Sequence, residues 1–483
     1  MLDLRPVGYV IGLLVAALGV TMAAPFLADL VAGNGYWPVF LESGVITIMI
    51  GGLVSLSCSS GISTGLTIRQ TFLLTTLVWL TLPLFGAIPF LLAIDGLSFT
   101  DAFFEAMSGL TTTGSTVLSG IDTLPEGIKL WRGILQWLGG IGIIVVAMVF
   151  LPELKVGGMQ IFRSEGFDTM GKILPRATEI ASSISVIYVG LTLGCALLYG
   201  VAGMSTFDAI IHAMTTIATG GFSNYDSSFG AFGPGVEYTA AVFMLLAALP
   251  FVRYVQLISG SGARPLFRDR QIRAFFVIAA VLVLVLATWN WALGDALTET
   301  GFRKSLFNVV SILTGTGYAS ADYMQWGPFA VTVIFFTGLI GGCAGSTACS
   351  VKVFRYQLLF SAVKAQIRRI HSPHGVFNVR YQGRPVSEEA LSSVMAFFVA
   401  FMVAIGVTGV LLGMTGLDFI TSISGAATAI ANVGPGLGNE IGPAGNFGGL
   451  NDAAKWILSI AMLVGRLEIM AVFTILTWHF WRG

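Results

Sequence analysis

Long apolar runs recur along the chain and alternate with shorter segments rich in glycine and polar residues. A helix needs about 20 apolar residues to cross a bilayer, and ten runs meet this requirement. The predicted spans are residues 7–31, 37–58, 70–94, 130–151, 182–203, 235–260, 270–293, 327–360, 390–414 and 453–480. The first run has the position of a signal peptide, but it is too long, lacks a preceding basic cluster and is followed by further spans. The pattern therefore predicts an all-α integral membrane protein with ten transmembrane helices.

Four short segments between these runs share one pattern. Each is too short to span a membrane, has helical character and ends in a turn rich in glycine and polar residues. They are residues 99–114, 206–220, 302–317 and 418–434. Because a bilayer tolerates non-helical backbone only where it is buried in protein or lines a watery cavity, four such turns need a shared polar space. The sequence thus predicts four helix–pore loop–helix repeats with fourfold pseudosymmetry around a central pore.

The repeats also divide the chain. We expect an N-terminal pair of transmembrane helices over residues 1–66, followed by four pore-loop repeats. The repeats cover residues 67–178, 179–266, 267–384 and 385–483.

The turns themselves have the chemistry of a cation filter. Aligning the segments places Gly114, Gly220, Gly317 and Gly434 at equivalent positions. Glycine permits positive φ and close approach of backbones, and backbone carbonyl oxygens can replace the water shell of a cation. The negative C-terminal ends of the half-helices favour the same ion. The alternative is ordinary loops with glycine and threonine as turn residues, but the fourfold recurrence favours the filter.

Composition and charge agree with a membrane location. Hydrophobic residues make up 55% of the chain and charged residues 10%, with a mean hydropathy of +0.85, whereas soluble domains carry about 25% charged residues. Most of the 25 basic residues fall on one side of the predicted spans. By the positive-inside rule this side is cytoplasmic, with both termini inside.

No pattern typical of an enzyme is present in the sequence. There is no nucleophile with a base, no aspartate pair and no His-Glu-x-x-His. The four cysteines lack zinc-ligand spacing, and His371 and His374 have no acidic or cysteine partner nearby. We expect a protein that is not an enzyme and binds no cofactor.

Several glycine-rich stretches carry a resemblance to a known family. They are residues 111–116, 137–142, 156–160, 218–223, 315–318, 341–347, 432–436 and 465–468. Together with the N-terminal helix pair, they make nearly the whole chain similar to the membrane subunit of bacterial Trk/Ktr-type potassium uptake systems, in particular the TrkH branch.

This resemblance implies K⁺ as the transported ion, the bacterial cytoplasmic (inner) membrane as location, a homodimer and a cytoplasmic ring of nucleotide-binding regulatory subunits (TrkA-like). It also implies a potassium filter in the four turns. The filter residues it implies are Thr111, Thr112, Thr113 and Gly114; Ala218, Thr219 and Gly220; Gly315, Thr316 and Gly317; and Asn432, Val433 and Gly434.

Arg466 is a first candidate for a gate. An arginine inside a span is costly to insert and faces a cavity or a partner; the resemblance places it in the pore as an electrostatic barrier. The alternative is an ion pair with Glu468, but residues two apart on a helix point in different directions. Glu468 is therefore expected to meet another helix.

The second candidate lies inside the predicted span 327–360. This candidate is a stretch with many glycines, which break a helix. The resemblance implies that it forms an intramembrane loop that blocks the pore beneath the filter. The gate residues it implies are Gly341, Gly342, Gly345, Ser346 and Thr347. The alternative is a small-residue face for helix packing. Where the family has a glycine triplet, this chain has Ala348, Cys349 and Ser350, which predicts a stiffer loop.

A coupled symporter of the same fold is the main rival. Proton relays need intramembrane carboxylates, and Glu468 is the one clear acid in the middle of a predicted span. This favours a channel-like route and leaves sodium coupling open.

Overall fold

The structure is a computed structural model that describes residues 3–61, 66–146, 177–292 and 298–482. The sequence motif at residues 156–160 lies outside the described residues.

The described chain is almost entirely helical. The N-terminal helices are α1 (Arg5–Thr21), α2 (Ala23–Ala32) and α3 (Trp37–Cys58). The first predicted repeat holds α4 (Ile68–Gly86), α5 (Ile88–Ala93), α6 (Phe99–Leu110) and α7 (Glu126–Val145), and the second holds α8 (Ala177–Val201), α9 (Thr206–Ile217), α10 (Pro234–Ala247) and α11 (Phe251–Gln256). Helix α12 (Arg264–Arg268) crosses the boundary between the second and third repeats, and the third holds α13 (Arg270–Ala292), α14 (Glu299–Thr314), α15 (Gly327–Ile340) and α16 (Val353–His371). The fourth holds α17 (Glu388–Met414), α18 (Phe419–Ala431), α19 (Gly438–Ile441), α20 (Asp452–Arg466), α21 (Met470–Leu476) and α22 (Trp478–Arg482).

One small hairpin interrupts the helices. Its strands β1 (Arg380–Tyr381) and β2 (Arg384–Pro385) pair antiparallel, with Arg380 opposite Pro385.

The helices confirm the predicted fold class. Among the described residues, eight helices are long and apolar enough to cross a membrane. Two bent pairs, α10 with α11 and α20 with α21, bring the number to ten when each pair is taken as one span.

Two predicted spans differ from the structure because they are broken. The span 235–260 bends by 88° between α10 and α11, where Pro250 lacks an amide N–H and precedes the new helix. The span 453–480 bends by 110° after Arg466, which ends α20 rather than lying mid-helix. At this second break Glu468 and Ile469 have φ of 59° and 48°, values that L-residues rarely adopt. The predicted break inside 327–360 is present between α15 and α16.

The four half-helices α6, α9, α14 and α18 begin at side-chain caps. Ser98, Ser205, Thr298 and Asp418 each accept a hydrogen bond from the backbone N–H three residues later, which satisfies an otherwise unpaired donor. Hydrogen bonds from Thr421 hold the pKa of the Asp418 carboxyl below its usual value. The caps therefore fix where each half-helix starts.

The N-terminal helices dock on the first repeat through a buried carboxylate. Asp29 accepts the Gly127 amide N–H at 2.7 Å and so caps the start of α7 from another helix. Glycines let α1 and α3 approach closely, because a Cβ on Gly12 would lie 2.7 Å from the Gly51 carbonyl oxygen.

Candidate functional site

The four half-helices end with the same hydrogen bond. The amide N–H groups of Thr113, Gly220, Thr316 and Val433 each donate to the carbonyl five residues earlier, at 2.9, 2.9, 2.9 and 3.0 Å. This shared bond fixes which residues are equivalent. We therefore define turn 1 as residues 111–114, turn 2 as 218–221, turn 3 as 314–317 and turn 4 as 431–434.

This register corrects the sequence alignment of turn 2 by one residue. Gly221, with φ of 82°, is the equivalent of Gly114 (88°) and Gly317 (83°), whereas Gly220 is the equivalent of Thr113. Thr219 likewise matches Thr112, since both have φ of 50°. Sequence reasoning missed Gly221 because two consecutive glycines leave the register ambiguous and the spacing between repeats varies.

The four turns close into a ring. A Cβ on Gly114 would strike the Gly220 carbonyl oxygen, and one on Gly221 would strike the Thr316 carbonyl oxygen, both closer than the 3.0 Å that real Cβ atoms keep. A Cβ on Gly317 would lie 2.6 Å from the Gly434 amide nitrogen, and one on Gly434 would lie 3.2 Å from the Gly114 carbonyl oxygen. Each turn thus contacts the next in the order 1, 2, 3, 4 and back to 1.

Side chains fasten the ring at two of its joints. At the joint of turns 1 and 2, Gln136 of α7, the helix that follows turn 1, donates to the Gly220 carbonyl at 2.6 Å and accepts the Phe222 amide N–H at 3.0 Å. Between turns 4 and 1, Asn432 donates to the Thr113 hydroxyl at 3.0 Å. The Ser115 hydroxyl donates to the Gly434 carbonyl at 2.7 Å. Both joints are held by polar groups that are themselves buried.

A polar cavity of about 300 Å³ opens on one face of the ring. It is lined by the glycines of all four turns, Gly114, Gly221, Gly317 and Gly434, and by the carboxylate-bearing Asp226. Its volume suits several water molecules, each of which occupies about 30 Å³ in the liquid. A hydrated cation in this cavity would meet the ring directly.

The opposite face of the ring is closed by Cys349 and Arg466. The Cys349 Sγ lies 4.0 Å from the Thr112 hydroxyl, and its amide nitrogen lies 3.5 Å from where a Cβ of Gly315 would be. The Arg466 guanidinium Nη1 donates to Cys349 Sγ, and its Nη2 lies 3.4 Å from the Gly139 carbonyl oxygen. The loop of residues 341–352 therefore contacts turns 1 and 3, and through the Ser350 amide N–H it donates to the Ala431 carbonyl of turn 4 at 3.1 Å. Arg466 lies behind Cys349.

Five predicted gate residues occupy the other half of that loop. The Gly345 carbonyl accepts the Phe251 amide N–H at 2.9 Å, and the Thr347 hydroxyl donates to the Ala247 carbonyl at 3.0 Å, both at the break between α10 and α11. Ser346 bonds within the loop, Gly342 packs against Ala248, and Gly341 packs against Cys349 and Ser350. These residues anchor the loop, whereas Cys349 and Ser350 reach the turns. In the sequence, Cys349 and Ser350 are distinguished only by their position within the glycine triplet of the family.

Glu468 pairs with another helix, as predicted. Its carboxylate forms an ion pair with Arg355 at the start of α16, and Lys352 Nζ lies 3.7 Å from the other carboxylate oxygen. Arg355 is fully buried and its guanidinium lies 3.7 Å from the centre of the Phe397 ring. The pair links the end of the loop to the break in the last span. Arg466 instead keeps its Nε without a hydrogen-bond partner among the described residues.

Comparison with known proteins decides the family. The model of the TrkH family, described as cation transport protein, matches residues 37–478. The chain belongs to the TrkH family. This agrees with the resemblance that the glycine-rich motifs carry.

Relatives in the TrkH family match over the full length. The chain is 44% identical to the Trk system potassium uptake protein TrkI of Halomonas elongata, covering 99% of this chain and 97% of that protein. It is 37% identical to the Trk system potassium uptake protein TrkH of Escherichia coli, covering 99% of both. The crystal structure of the potassium transporter TrkH from Vibrio parahaemolyticus superposes with a TM-score of 0.91 at 35% identity and covers 100% of both chains.

Membership of the TrkH family makes the chain a multi-pass membrane transporter for cations. It confirms the predictions of an all-α membrane protein that is not an enzyme. Among the described residues, no group of three His, Cys, Asp or Glu side chains is placed to hold a metal ion.

Proposed function

We propose that this chain carries potassium ions into the cell through the ring formed by turns 1 to 4. The observation that carries the proposal is the closure of the ring, in which each turn contacts the next beneath a polar cavity. The names of the relatives, which are potassium uptake proteins, support potassium as the ion.

The physical basis is replacement of the ion's water shell. Turn 1 offers the backbone carbonyl oxygens of Thr112, Thr113 and Gly114, and the other turns offer those of the equivalent residues. Such oxygens can take the place of hydration water around a cation. The C-terminal ends of α6, α9, α14 and α18 point toward the same place and add partial negative charge.

The described conformation has the features of a closed gate. Cys349 and Arg466 stand on the side of the ring opposite the cavity, where they line a much smaller cavity of about 20 Å³. A positive guanidinium with an unpaired Nε repels a cation on the same path. We infer that the loop of residues 341–352 and the break after Arg466 move when the transporter opens. The ion pair of Glu468 with Arg355 makes them move together.

A proton-coupled mechanism has less support. Glu468, the acid singled out from the sequence, is bound by Arg355 and Lys352, so its carboxylate is committed to an ion pair. A proton carrier must instead exchange its proton freely on both sides.

The distribution of charge and the family resemblance suggest a membrane location, an orientation and partners for the protein. Basic residues such as Lys364, Arg368 and Arg369 lie at the end of α16 and are exposed, which favours a cytoplasmic side by the positive-inside rule. We propose a location in the bacterial inner membrane with both termini in the cytoplasm. We also propose a homodimer that is controlled by a cytoplasmic nucleotide-binding subunit similar to TrkA.

Ion flux into proteoliposomes tests this function. The purified chain, with and without a TrkA-like subunit, is given K⁺, Rb⁺, Na⁺ or Li⁺ under the same gradient. We expect K⁺ and Rb⁺ to enter much faster than Na⁺ and Li⁺, and protein-free liposomes give the background. Equal rates for all four ions would contradict the assignment of the ring as a potassium filter.

A further inference from the structure

A second layer of side chains lies behind the four turns at one register position. Glu105, His212 and Asn308 occupy equivalent places in α6, α9 and α14. Each accepts a hydrogen bond from the backbone N–H twelve residues later, at 3.0, 3.4 and 3.2 Å. The donors are Val117, Asn224 and Ser320. The same amide is thus bound in three repeats by three chemically different side chains.

In the fourth repeat a different residue accepts the hydrogen bond from the equivalent amide. Its equivalent position is Gly425, which has no side chain. The neighbouring Ser424 accepts the Leu437 amide N–H at 2.9 Å instead. Leu437 is the equivalent of Val117, so all four repeats bind this amide. The shared feature is therefore the hydrogen bond and not the charge or type of the side chain.

The imidazole of His212 is fixed in the orientation that this bond needs. Its Nδ1 lies 2.9 Å from the Asp208 carbonyl oxygen, which can only accept, so Nδ1 carries the proton and Nε2 is the acceptor. Nε2 then accepts from the Ser223 hydroxyl at 3.1 Å and from the Asn224 amide N–H at 3.4 Å. The side chain is fully buried.

Asn308 reproduces this arrangement with an amide. Its Nδ2 donates to the Lys304 carbonyl four residues earlier at 2.8 Å, as Nδ1 of His212 does to Asp208. Its Oδ1 accepts the Ser320 amide N–H at 3.2 Å. Asparagine therefore performs both tasks of the histidine at the same register position.

The bonds also connect neighbouring repeats. Arg132 of α7 donates from Nε to Glu105 at 2.8 Å and from Nη1 to the Ser223 carbonyl at 2.6 Å. It thereby joins the first of these side chains to the segment that follows turn 2. Since the bound amides lie only three residues beyond the ring glycines, they hold the segment that leaves each turn.

We propose that Glu105, His212, Asn308 and Ser424 are positioning residues that set the width of the ring and hence its discrimination between potassium and sodium. They act by tying the chain that leaves each turn to the half-helix that enters it. This inference rests on the proposed potassium filter. Without the bond, a buried amide N–H loses its partner, and the chain beyond the turn shifts to recover one.

The test compares His212→Ala with His212→Asn in proteoliposomes. The ratio of K⁺ to Na⁺ permeability is measured from reversal potentials. We expect His212→Ala to lower the ratio by about fivefold, the factor for one ordinary hydrogen bond. His212→Asn, which copies the third repeat, should keep the ratio within about twofold of the unchanged protein. Thr47→Ala is the matched control, because Thr47 is buried in α3 and its hydroxyl has no partner among the described residues.

The readout separates positioning from folding. Thermal stability and elution volume are measured for each variant, because a purely structural role lowers stability without moving the ratio. An unchanged ratio in folded His212→Ala overturns the inference, and so does a ratio in His212→Asn as low as in His212→Ala. If His212→Ala does not fold, the permeability ratio of Ser424→Ala provides the same test, because this substitution changes the side-chain volume very little. If the unchanged protein does not discriminate between the ions, the proposed filter itself has failed.

Discussion

Replacing Gly317 by alanine should widen the ring at the joint between turns 3 and 4. A Cβ at this position would lie 2.6 Å from the Gly434 amide nitrogen, and ordinary van der Waals contact begins at 3.4 Å. The Cβ is attached directly to the backbone of turn 3, and the nitrogen is part of the backbone of turn 4. Neither atom can rotate away, so the two turns must separate by about 0.8 Å. The φ of 83° adds strain, and a left-handed conformation costs an L-residue about 1–2 kcal/mol.

The expected consequence is a loss of discrimination rather than a loss of flux. A wider ring surrounds K⁺ less closely and no longer excludes a smaller ion that keeps part of its water. If the wider ring loses about 1–2 kcal/mol of its preference for K⁺, the K⁺ to Na⁺ permeability ratio falls by roughly 5- to 30-fold. Reversal potentials under bi-ionic conditions in proteoliposomes or planar bilayers measure this ratio directly.

Gly96→Ala is the matched control for backbone strain. Gly96 has φ of 78°, close to that of Gly317, but a Cβ there would meet nothing within 4 Å. The control should keep the permeability ratio while paying a similar conformational cost. A ratio in Gly317→Ala that equals that of the control would refute the reasoning that contact between the turns sets the selectivity.

Three further experiments test the register and the gate. Gly221→Ala should lower the permeability ratio more than Gly220→Ala does. The reason is that a Cβ at 221 meets the backbone of turn 3, whereas a Cβ at 220 meets the movable Gln136 side chain. If the same reversal potentials show the reverse order, the sequence alignment of Gly220 with Gly114 is right. Arg466→Ala should raise the basal Rb⁺ flux more than tenfold, since removing a unit charge within roughly 10 Å of the path at an effective dielectric constant of about 20 lowers the barrier by about 1.7 kcal/mol; abolished flux in a folded variant would point to a structural role. Cys349→Gly should also raise basal Rb⁺ flux, because it removes the thiol that lies against turn 1 and Arg466; flux at or below that of the unchanged protein would exclude Cys349 from the closed gate.

The spans and the half-helices could be predicted because their signals are local. Apolar runs of bilayer length and glycine-rich turns with polar residues are visible without any knowledge of contacts. The break after Arg466 could not be predicted, because residues 467–469 contain neither glycine nor proline. At this break Glu468 forms a tertiary interaction, its ion pair with Arg355, which no local pattern reveals. Arg355 lies more than one hundred residues earlier in the chain.

The residues behind the ring were invisible for a different reason. Glu105, His212, Asn308 and Gly425 share no chemical type, so no motif connects them. They become equivalent only through the hydrogen bonds that close the half-helices. The same bonds show that Gly221, and not Gly220, belongs with Gly114. Backbone geometry supplies a register that residue identity alone does not.

The proposed function requires that a cation binds where the four turns meet. Anomalous diffraction from crystals of the full chain grown in Rb⁺ or Tl⁺ can locate such a cation. We expect anomalous peaks on the axis of the ring, within reach of the oxygens of turns 1 to 4, and their loss when Na⁺ replaces these ions. Anomalous peaks elsewhere in the membrane region with none inside the ring would contradict it.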